Sequence, residues 1–540
     1  MNFQFCKVKS VIALLLAMAM LVVGFAGCGG NNNSASSGAG ASQGGNKEPI
    51  VFTYALSTEP DTLDPSVWFT TSPLNLNVYQ PLLEVNPAGS AEPFRFVIAE
   101  SYTVSEDGLT WTFKIREGMK FHDGTPVNAE AVRFSVQRTK DIEAAPAGIW
   151  STVESMNVLS DYVIEFKLNA AVPFDYIVAA GYGSFIMSPT AVKENEKDGD
   201  LAQAWMTDNA VGSGPWKLRE WTRGERMVFD RNPDYFGGWE EGQPDMVVIK
   251  FVTEYSTARL MLEKGEADMV DFIPADQVED IRKIDGISAE SYPSFETLYL
   301  QFNHEKAPTD SKEVRQALSY AFNYDGVTKI TNGESRPMKG ILPSNMWGYS
   351  DETFQYNFDL EKARQILDDA GYKDKTLTLN AYYSSEDDIL RQVIEMYKGD
   401  LAKINVDLQV ETAPFSTIAS KQKEFDTSAN IFTRYWWCDY VDPNDFVYYL
   451  LHSDANYKIT YYKDEAMDKL IDDAHKIAGV DKEKAIEMYQ QINDIITEDA
   501  HSIFAFEKNV VVPMRTWVKD YVYNASYPRI VEFYDLRIEK

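Results

Sequence analysis

Cysteine is scarce in this chain, with three in 540 residues, Cys6, Cys28 and Cys438, and so few exclude a disulfide-built scaffold. Basic runs are missing as well. No five consecutive Lys or Arg occur, and 51 basic residues face 82 acidic ones for a formal charge of −31. That field repels a polyanion and excludes a broad nucleic-acid surface. Long apolar runs are confined to the N-terminus, and none of 18 residues follows Pro49, so the body carries no spanning helix. Catalytic signatures are missing too: there is no G-x-x-x-x-G-K-[ST], no G-x-G-x-x-G opening a helix and no H-E-x-x-H. The sole G-x-S-x-G match, Gly40 to Gly44, lies in a Ser/Gly stretch with no preceding strand, where a nucleophile elbow cannot form. His122, His304, His452, His475 and His501 stand singly, and Asp439-x-x-Asp442-x-Asn444-Asp445 lacks the glycine and closing glutamate of a calcium loop. No catalytic residue, metal or cofactor is expected.

What is present begins with compartment. Met1 to Ser10 carries Lys7 and Lys9 and no acid, and Val11 to Ala26 is unbroken apolar sequence, the order of an export signal. It ends in Phe25-Ala26-Gly27-Cys28, which resembles the lipobox of bacterial lipoproteins, with Phe25 where leucine is usual. The expectation is a signal over 1–27, removed before Cys28, which then carries the lipid. Cys6 leaves with the signal, Cys438 remains alone, and loss of two lysines takes the charge from −31 to −33. Residues 28–49, rich in Gly, Asn and Ser, should form a disordered tether about 25 Å from end to end.

Hydrophobic residues at 44% and charged ones at 25% suit a globular body of two to four domains. Leu109 to Ile115, Tyr162 to Leu168 and Leu298 to Phe302 alternate at period two and predict half-buried strands. After Asp310-Ser311, the spacing of Val314, Ala317, Leu318, Ala321 and Phe322 predicts a helix. Leu360 to Ala370 predicts another, stopped by Gly371. Leu377 to Ala381 and Val406 to Val410 bracket the apolar helix Ile389 to Ile404, a strand–helix–strand unit that points to α/β lobes with a mainly parallel sheet.

One stretch concentrates chemistry. Arg434-Tyr435-Trp436-Trp437-Cys438-Asp439-Tyr440-Val441-Asp442-Pro443 sets four aromatics beside one cation and two carboxylates, ahead of a proline expected to end regular structure. It reads either as a strand end with buried rings and capping acids, or as a ligand wall of flat rings with one oriented charge. Alternation sends neighbours to opposite faces, so both readings can hold for adjacent residues.

Longer motifs extend this. Val78 to Glu84, Ala99 to Gly124 with Phe121-His122-Asp123-Gly124, Leu63-Asp64-Pro65, Gly212-Ser213-Gly214-Pro215-Trp216, Asn232 to Phe236, Gly265-Glu266-Ala267-Asp268, Val314 to Leu318 and the stretch ending at Pro443 together resemble the family 5 extracellular solute-binding proteins. These are the oligopeptide and dipeptide receptors of ABC importers. The resemblance implies an α/β, periplasmic-binding-protein-like fold of class II, cluster C: two lobes around a hinge cleft, with an extra domain on the first lobe. It divides the chain into domain I at 50–83, 207–293 and 512–540, the extra domain II at 84–206 and domain III at 294–511. His122 then falls in the extra domain, with a structural part.

The resemblance also assigns a site. Asp439 would take the ligand's α-ammonium group, Trp436 or Trp437 would flank a side chain, and backbone near Cys438 and Tyr440 would pair with a peptide main chain. Arg434 would face the ligand's carboxylate. Trp68, Phe69 and Thr70 would approach from the opposite lobe. The function implied is that of a monomeric receptor, lipid-anchored through Cys28 to the outer face of the bacterial cytoplasmic membrane, that delivers short peptides to an ABC permease and its ATPase. Within the same family, an oligosaccharide, a metal chelate or haem are the alternative ligands. A secreted hydrolase is the competing class, and no motif supports it.

Overall fold

The computed structural model describes residues 48–540 apart from 68–72, 89, 439, 456–458 and 529. The expected signal, Cys28 and most of the tether therefore lie outside the described residues. From Pro49 onward the chain forms one compact unit.

Its frame is an eleven-stranded mixed sheet. Two long strands, Ile287–Phe302 and Ser502–Arg515, run antiparallel through its middle. On one side the order continues through Ile431–Trp436 and Leu377–Ser384 to Val406–Ala413. On the other it passes through Met269–Val270, Val51–Leu56, Met246–Phe251 and Arg226–Arg231 to Trp216–Thr222. The strand–helix–strand unit predicted from sequence is present, with Leu377–Ser384 parallel to Val406–Ala413 and the helix Asp388–Ala402 between them. The sheet as a whole is not mainly parallel, because the two long strands pair antiparallel with each other and with their neighbours Ile431–Trp436 and Met269–Val270. Leu298 to Phe302 is the end of a sixteen-residue strand, much longer than its local alternation predicts.

Each half of the sheet covers its own core. Beneath the parallel trio, Leu298, Leu300, Val314, Leu318, Val393, Leu408 and Phe506 are buried together. The predicted helix forms as Lys312–Tyr320, with the Ser311 side chain accepting the Val314 N–H, a standard N-cap. The helix starting at Leu360 leaves α geometry after Leu367, and a wider turn follows in which Gly371 takes a left-handed φ of 91°, a conformation that costs glycine least. The other half packs Phe52, Val78, Trp216, Phe229, Val247, Ile249 and Phe533.

A separate four-stranded antiparallel sheet contains Ala99–Val104, Thr110–Ile115, Val163–Leu168 and Val153–Ser160. Its alternating Trp111, Phe113, Ile164 and Phe166 are buried against Trp150 and Phe174. His122 here has a structural part: its amide donates to Gly212 O, and its ring Nε2 lies 3.0 Å from Gly214 O. The Gly212-Ser213-Gly214 turn itself presses on backbone, since a Cβ at Gly212 would sit 1.9 Å from Val78 O.

Two of the seams along which this layer meets the rest of the chain are tightly built. In the first, Asp64 and Arg138, 1% and 2% exposed, form a bidentate pair at 2.8 and 2.6 Å. Ser66 N–H donates to the same carboxylate, and Arg138 Nε donates to Leu201 O, so the buried ions are well satisfied. In the second, Gly108 and Val172 abut Gly479 and Val480, so closely that a Cβ at Gly479 would lie 2.7 Å from Val172 N.

The rings of His304 and His501 lie with centroids 4.6 Å apart and planes tilted by 31°, beside Tyr462, Arg315 and its partner Asp499. Burial is the main cause holding both in the neutral form, with Arg315 adding to it: His304 is lowered to about 3 and His501 falls well below the ordinary range.

Two outcomes follow. Removing one partner of a buried ion pair strands the other, so Asp64→Ala should cost about 3–5 kcal/mol in denaturant unfolding. Asp64→Leu combined with Arg138→Met should recover a large part of that loss. A histidine whose folded value lies below its unfolded value of about 6.5 gives stability that is complete above that pH and lost as pH falls toward 3, at a limiting slope of about 1.4 kcal/mol per pH unit. Glu84, Asp175 and Asp442, raised by burial to about 7, 6 and 7, act in the opposite sense over an overlapping range. The decisive measure is therefore the difference between wild type and His304→Gln, and the variant should show a smaller loss of Tm between pH 6.5 and 4.5.

Candidate ligand-binding cleft

The two long strands do not pair evenly. Pro293 faces Asn509 and Thr297 faces Glu507, so four steps on one strand match two on the other and the backbone bulges at 294–296. Proline supplies no N–H to the ladder. Ser294 Oγ donates to Lys508 O, and Lys508 Nζ reaches Glu296 Oε1 at 3.1 Å. Beside the bulge, buried Glu507 accepts from Ser344 N and Oγ, each at 2.6 Å, and pairs with Arg336.

Two walls flank this point. The first is built at the carboxyl ends of the parallel strands Val51–Leu56 and Met269–Val270, where ligands of α/β sheets commonly bind. There a cavity of about 320 Å³ is lined by the ends of those strands, the loop Ser57 to Pro60, Asp271 and Phe272, Val510 and Val512 of the long strand, and Tyr521 and Ile530 of the C-terminal segment. Its loop is fixed from within. Asp271 Oδ2 accepts from Ser57 N at 3.0 Å and Oγ at 2.6 Å, while Glu59 accepts from Trp221 Nε1 at 2.8 Å and from Gly224 N.

The second wall follows the strand Ile431–Trp436, paired with the long strand so that Thr297 faces Trp436 and Tyr299 faces Arg434. Trp436 is half-buried: its Nε1 donates to Asp445 O at 3.2 Å, its ring lies 6.0 Å from Tyr449, and the Arg434 guanidinium sits 4.5 Å above it. Arg434 is buried. Trp437, the first residue past the strand end, is 53% exposed. Trp436, Cys438 and Tyr440 pack against the edge of the main core. Pro443 does not end regular structure here but opens the helix Pro443–Leu451, with Asp442 as its cap accepting from Asn444 N at 2.8 Å. The first helical position tolerates proline because its N–H would find no partner there anyway.

Behind this wall stands a polar group that joins buried Tyr176 and Asp442 to the exposed Lys482. Lys482 donates to Tyr176 OH at 2.8 Å and lies 4.8 Å from the ring centres of Tyr176 and Trp347, while Trp347 Nε1 donates to Val441 O at 2.8 Å. Burial pushes Asp442 up to about 7 and Asp175 up to about 6, with the Lys482 charge opposing both shifts, and it lowers Lys482. The phenol of Tyr440 is raised by burial and by Asp442 and Asp445. A tyrosine series joins the walls: Tyr521 lies 6.1 Å and Tyr523 5.2 Å from Tyr292, and burial, with the Glu296 charge adding to it, pushes the Tyr523 phenol up.

Of the residues singled out from sequence, Arg434, Trp436, Trp437, Cys438 and Tyr440 come together at one strand end. Asp439, Trp68, Phe69 and Thr70 lie outside the described residues. Sequence reasoning missed the first wall, whose members come from four distant segments. The nearest signal was Gly265-Glu266-Ala267-Asp268, immediately before the strand Met269–Val270, whose end leads into Asp271 and Phe272. Among the described residues, no cluster of three or more His, Cys, Asp or Glu side chains could hold a metal ion.

Two sheet halves carried by the same pair of strands, with a cavity and an aromatic wall beside their bulge and an added antiparallel layer, define a periplasmic-binding-protein fold of two lobes. The chain belongs to the bacterial extracellular solute-binding proteins, family 5, whose middle-region model matches residues 95–458. It is 30% identical over 489 residues to the probable D,D-dipeptide-binding periplasmic protein DdpA of Escherichia coli K12, covering 88% of this chain and 92% of that one. It is 29% identical over 321 residues to the glutathione-binding protein GsiB of Pectobacterium atrosepticum, covering 58% of this chain and 60% of that protein. Among solved structures, HbpA2 from Haemophilus parasuis superposes with a TM-score of 0.80 at 23% identity, over 91% of this chain and all of the other. DppA from Helicobacter pylori in complex with the peptide STSA does so at 0.72 and 24% identity, over 91% and 99%.

The two tryptophans should separate in stability measurements. Trp436→Ala removes a packed ring and its hydrogen bond and should cost about 2–3 kcal/mol. Trp437→Ala should stay within about 0.5 kcal/mol of wild type in the same unfolding titration.

Proposed function

We propose that the chain is a substrate-binding protein of an ABC transporter that captures short peptides between its lobes and passes them to a permease and its ATPase. The observation that carries this reading is the match, along nearly the whole of both chains, to a relative named for binding D,D-dipeptides. The geometry supports it. A peptide lying along the bulge would meet an apolar wall on one side and Trp437 with the backbone near Cys438 on the other, a main-chain mode that tolerates varied side chains.

In this reading Asp439 holds the ligand's α-ammonium group, because an ammonium taken into a closed cleft needs a fixed carboxylate. Arg434 is the candidate for the ligand's carboxylate, and Trp68, Phe69 and Thr70 close from the other lobe. The lobes correspond to domain I at 50–83, 207–293 and 512–540 and domain III at 294–511, with domain II at 84–206. The bulge between Pro293 and Thr297 lies at that boundary. Closure on the ligand gives the permease a shape to recognise. The Cys28 lipid and the tether hold the protein as a monomer on the outer face of the cytoplasmic membrane. The protein's work is binding rather than catalysis.

A thermal shift of the chain from Asn46 to Lys540, freed of co-purified ligand, tests this against mixed short peptides and their N-acetylated forms. Ligand at 100 times its Kd adds about 2.7 kcal/mol, so free peptides should raise Tm clearly and acetylated ones should not. No shift with either removes peptides and points to an oligosaccharide, a metal chelate or haem. Asp439→Ala should weaken a good peptide roughly 10- to 150-fold by calorimetry, and unchanged affinity sinks its role. Intact-mass measurement of the mature protein checks the lipid on Cys28.

A further inference from the structure

The added antiparallel layer reaches both walls of the cleft. On the first-wall side its backbone is bonded in place: Tyr527 OH donates to Ala179 O and accepts from Val85 N, each at 2.8 Å, and Tyr527 adjoins Pro528 of that wall's lining. Tyr176, three residues before Ala179, is buried, with its ring edge-on to Phe94 at 4.8 Å. This tyrosine is therefore carried by the half of the molecule that carries the first wall.

On the second-wall side the contact is of another kind. Lys482 opens the helix Lys482–Glu498 and donates to Tyr176 OH at 2.8 Å. Its ammonium lies 4.8 Å from the ring centres of both Tyr176 and Trp347, and those two rings stack at 6.4 Å with planes 27° apart. Trp347 passes the contact on, since its Nε1 donates to Val441 O, three residues past Cys438. Asp175 on the layer and Asp442 on the wall both supply negative charge to Lys482.

These contacts differ from the Asp64–Arg138 tie in what breaking them costs. Buried ions cannot part without leaving a charge stranded. Lys482 is exposed, so its ammonium is taken up by water as soon as it leaves the rings, and a cation on ring faces is a short-range, directional contact. Such a contact is suited to being made and undone, and it joins the two halves at a second point besides the ladder.

We propose that Lys482 is a positioning residue for the ligand: clasped on Tyr176 and Trp347, it holds the second wall against the added layer and so favours the closed cleft in which both walls meet the ligand. The proposal rests on the reading of two lobes that close on a ligand and deepens it, giving the added layer a part in closure.

Cys438 reports on the clasp without any ligand. It is the one cysteine from Asn46 to Lys540 and stands half-buried on the second wall, so its alkylation by N-ethylmaleimide quickens when that wall loosens or the cleft opens. In the chain from Asn46 to Lys540, Lys482→Met and Tyr176→Phe should each raise the rate at least about threefold, the equivalent of one ordinary hydrogen bond. The double variant should add little to either, because both remove the same contact. Lys482→Arg keeps a cation on the rings and should stay within about twofold of wild type. Affinity for the tripeptide Ala-Leu-Ala by calorimetry should fall by a similar factor in Lys482→Met and Tyr176→Phe and hold in Lys482→Arg. Tyr176→Phe loses only an oxygen, so it carries the test should Lys482→Met fail to fold. Unchanged rates in both overturn the proposal. So does a rise in folded Lys482→Met alone, which marks a change of charge around the thiol, and so does a rate in Lys482→Arg as high as in Lys482→Met, which marks lost packing. Raised rates with unchanged affinity for Ala-Leu-Ala overturn it as well. If wild type binds no Ala-Leu-Ala, the peptide reading fails, and the alkylation rates alone decide the clasp.

Discussion

The backbone pairing of Ile287–Phe302 with Ser502–Arg515 is the interaction on which the rest of the molecule depends. Every other strand of the main sheet reaches its place through one of these two, so both cores and both cleft walls are positioned relative to a single ladder. The ladder loses register twice, at 294–296 and again between Leu298 and Tyr299, and at the first of these the proline, the bulge and the polar contacts of Ser294 and Glu296 replace regular pairing. Local loss of ladder bonds makes a strand easier to bend. The cleft opens where the frame is most deformable, with polar side chains stitching the irregular backbone in place of lost ladder bonds.

Around that ladder, charge is used sparingly inside and freely outside. Asp64 and Arg138 are taken fully out of water, and their geometry leaves almost no donor or acceptor idle. The Lys482 group is different. One ammonium serves Tyr176, Trp347 and two carboxyls whose burial lifts them toward neutral pH. The first arrangement is a permanent tie, while the second changes its charge state within a few pH units of neutrality.

Much of the fold was legible because its signals are local. Alternation marks Thr110–Ile115 and Val163–Leu168, the Ser311 cap and the 3–4 spacing mark Lys312–Tyr320, and Gly371 marks its turn. The end of the strand at Trp436 separates that half-buried ring from the exposed Trp437. The long strands were read only in part, since pairing between segments about 200 residues apart leaves no periodic trace, and the bulge breaks what alternation exists. Pro443 was misread because proline ends one element and begins the next equally well, and only the cap of Asp442 decides between them. The apolar wall was illegible for a plainer reason: Leu56, Phe272, Val510 and Ile530 become neighbours only when the sheet is assembled.

The seam between Gly108, Ala171 and Val172 on one side and Gly479 and Val480 on the other has an evolutionary consequence. With a Cβ at Gly479 only 2.7 Å from Val172 N, and one at Gly108 3.1 Å from both Ala171 Cβ and Val480 Cγ2, neither surface has slack to absorb a methyl group added to the other. Stretches more than 300 positions apart in the chain are thus bound to vary together. The added layer is inherited as part of the receptor body and cannot be exchanged as an independent module without recutting the helix pair it rests on.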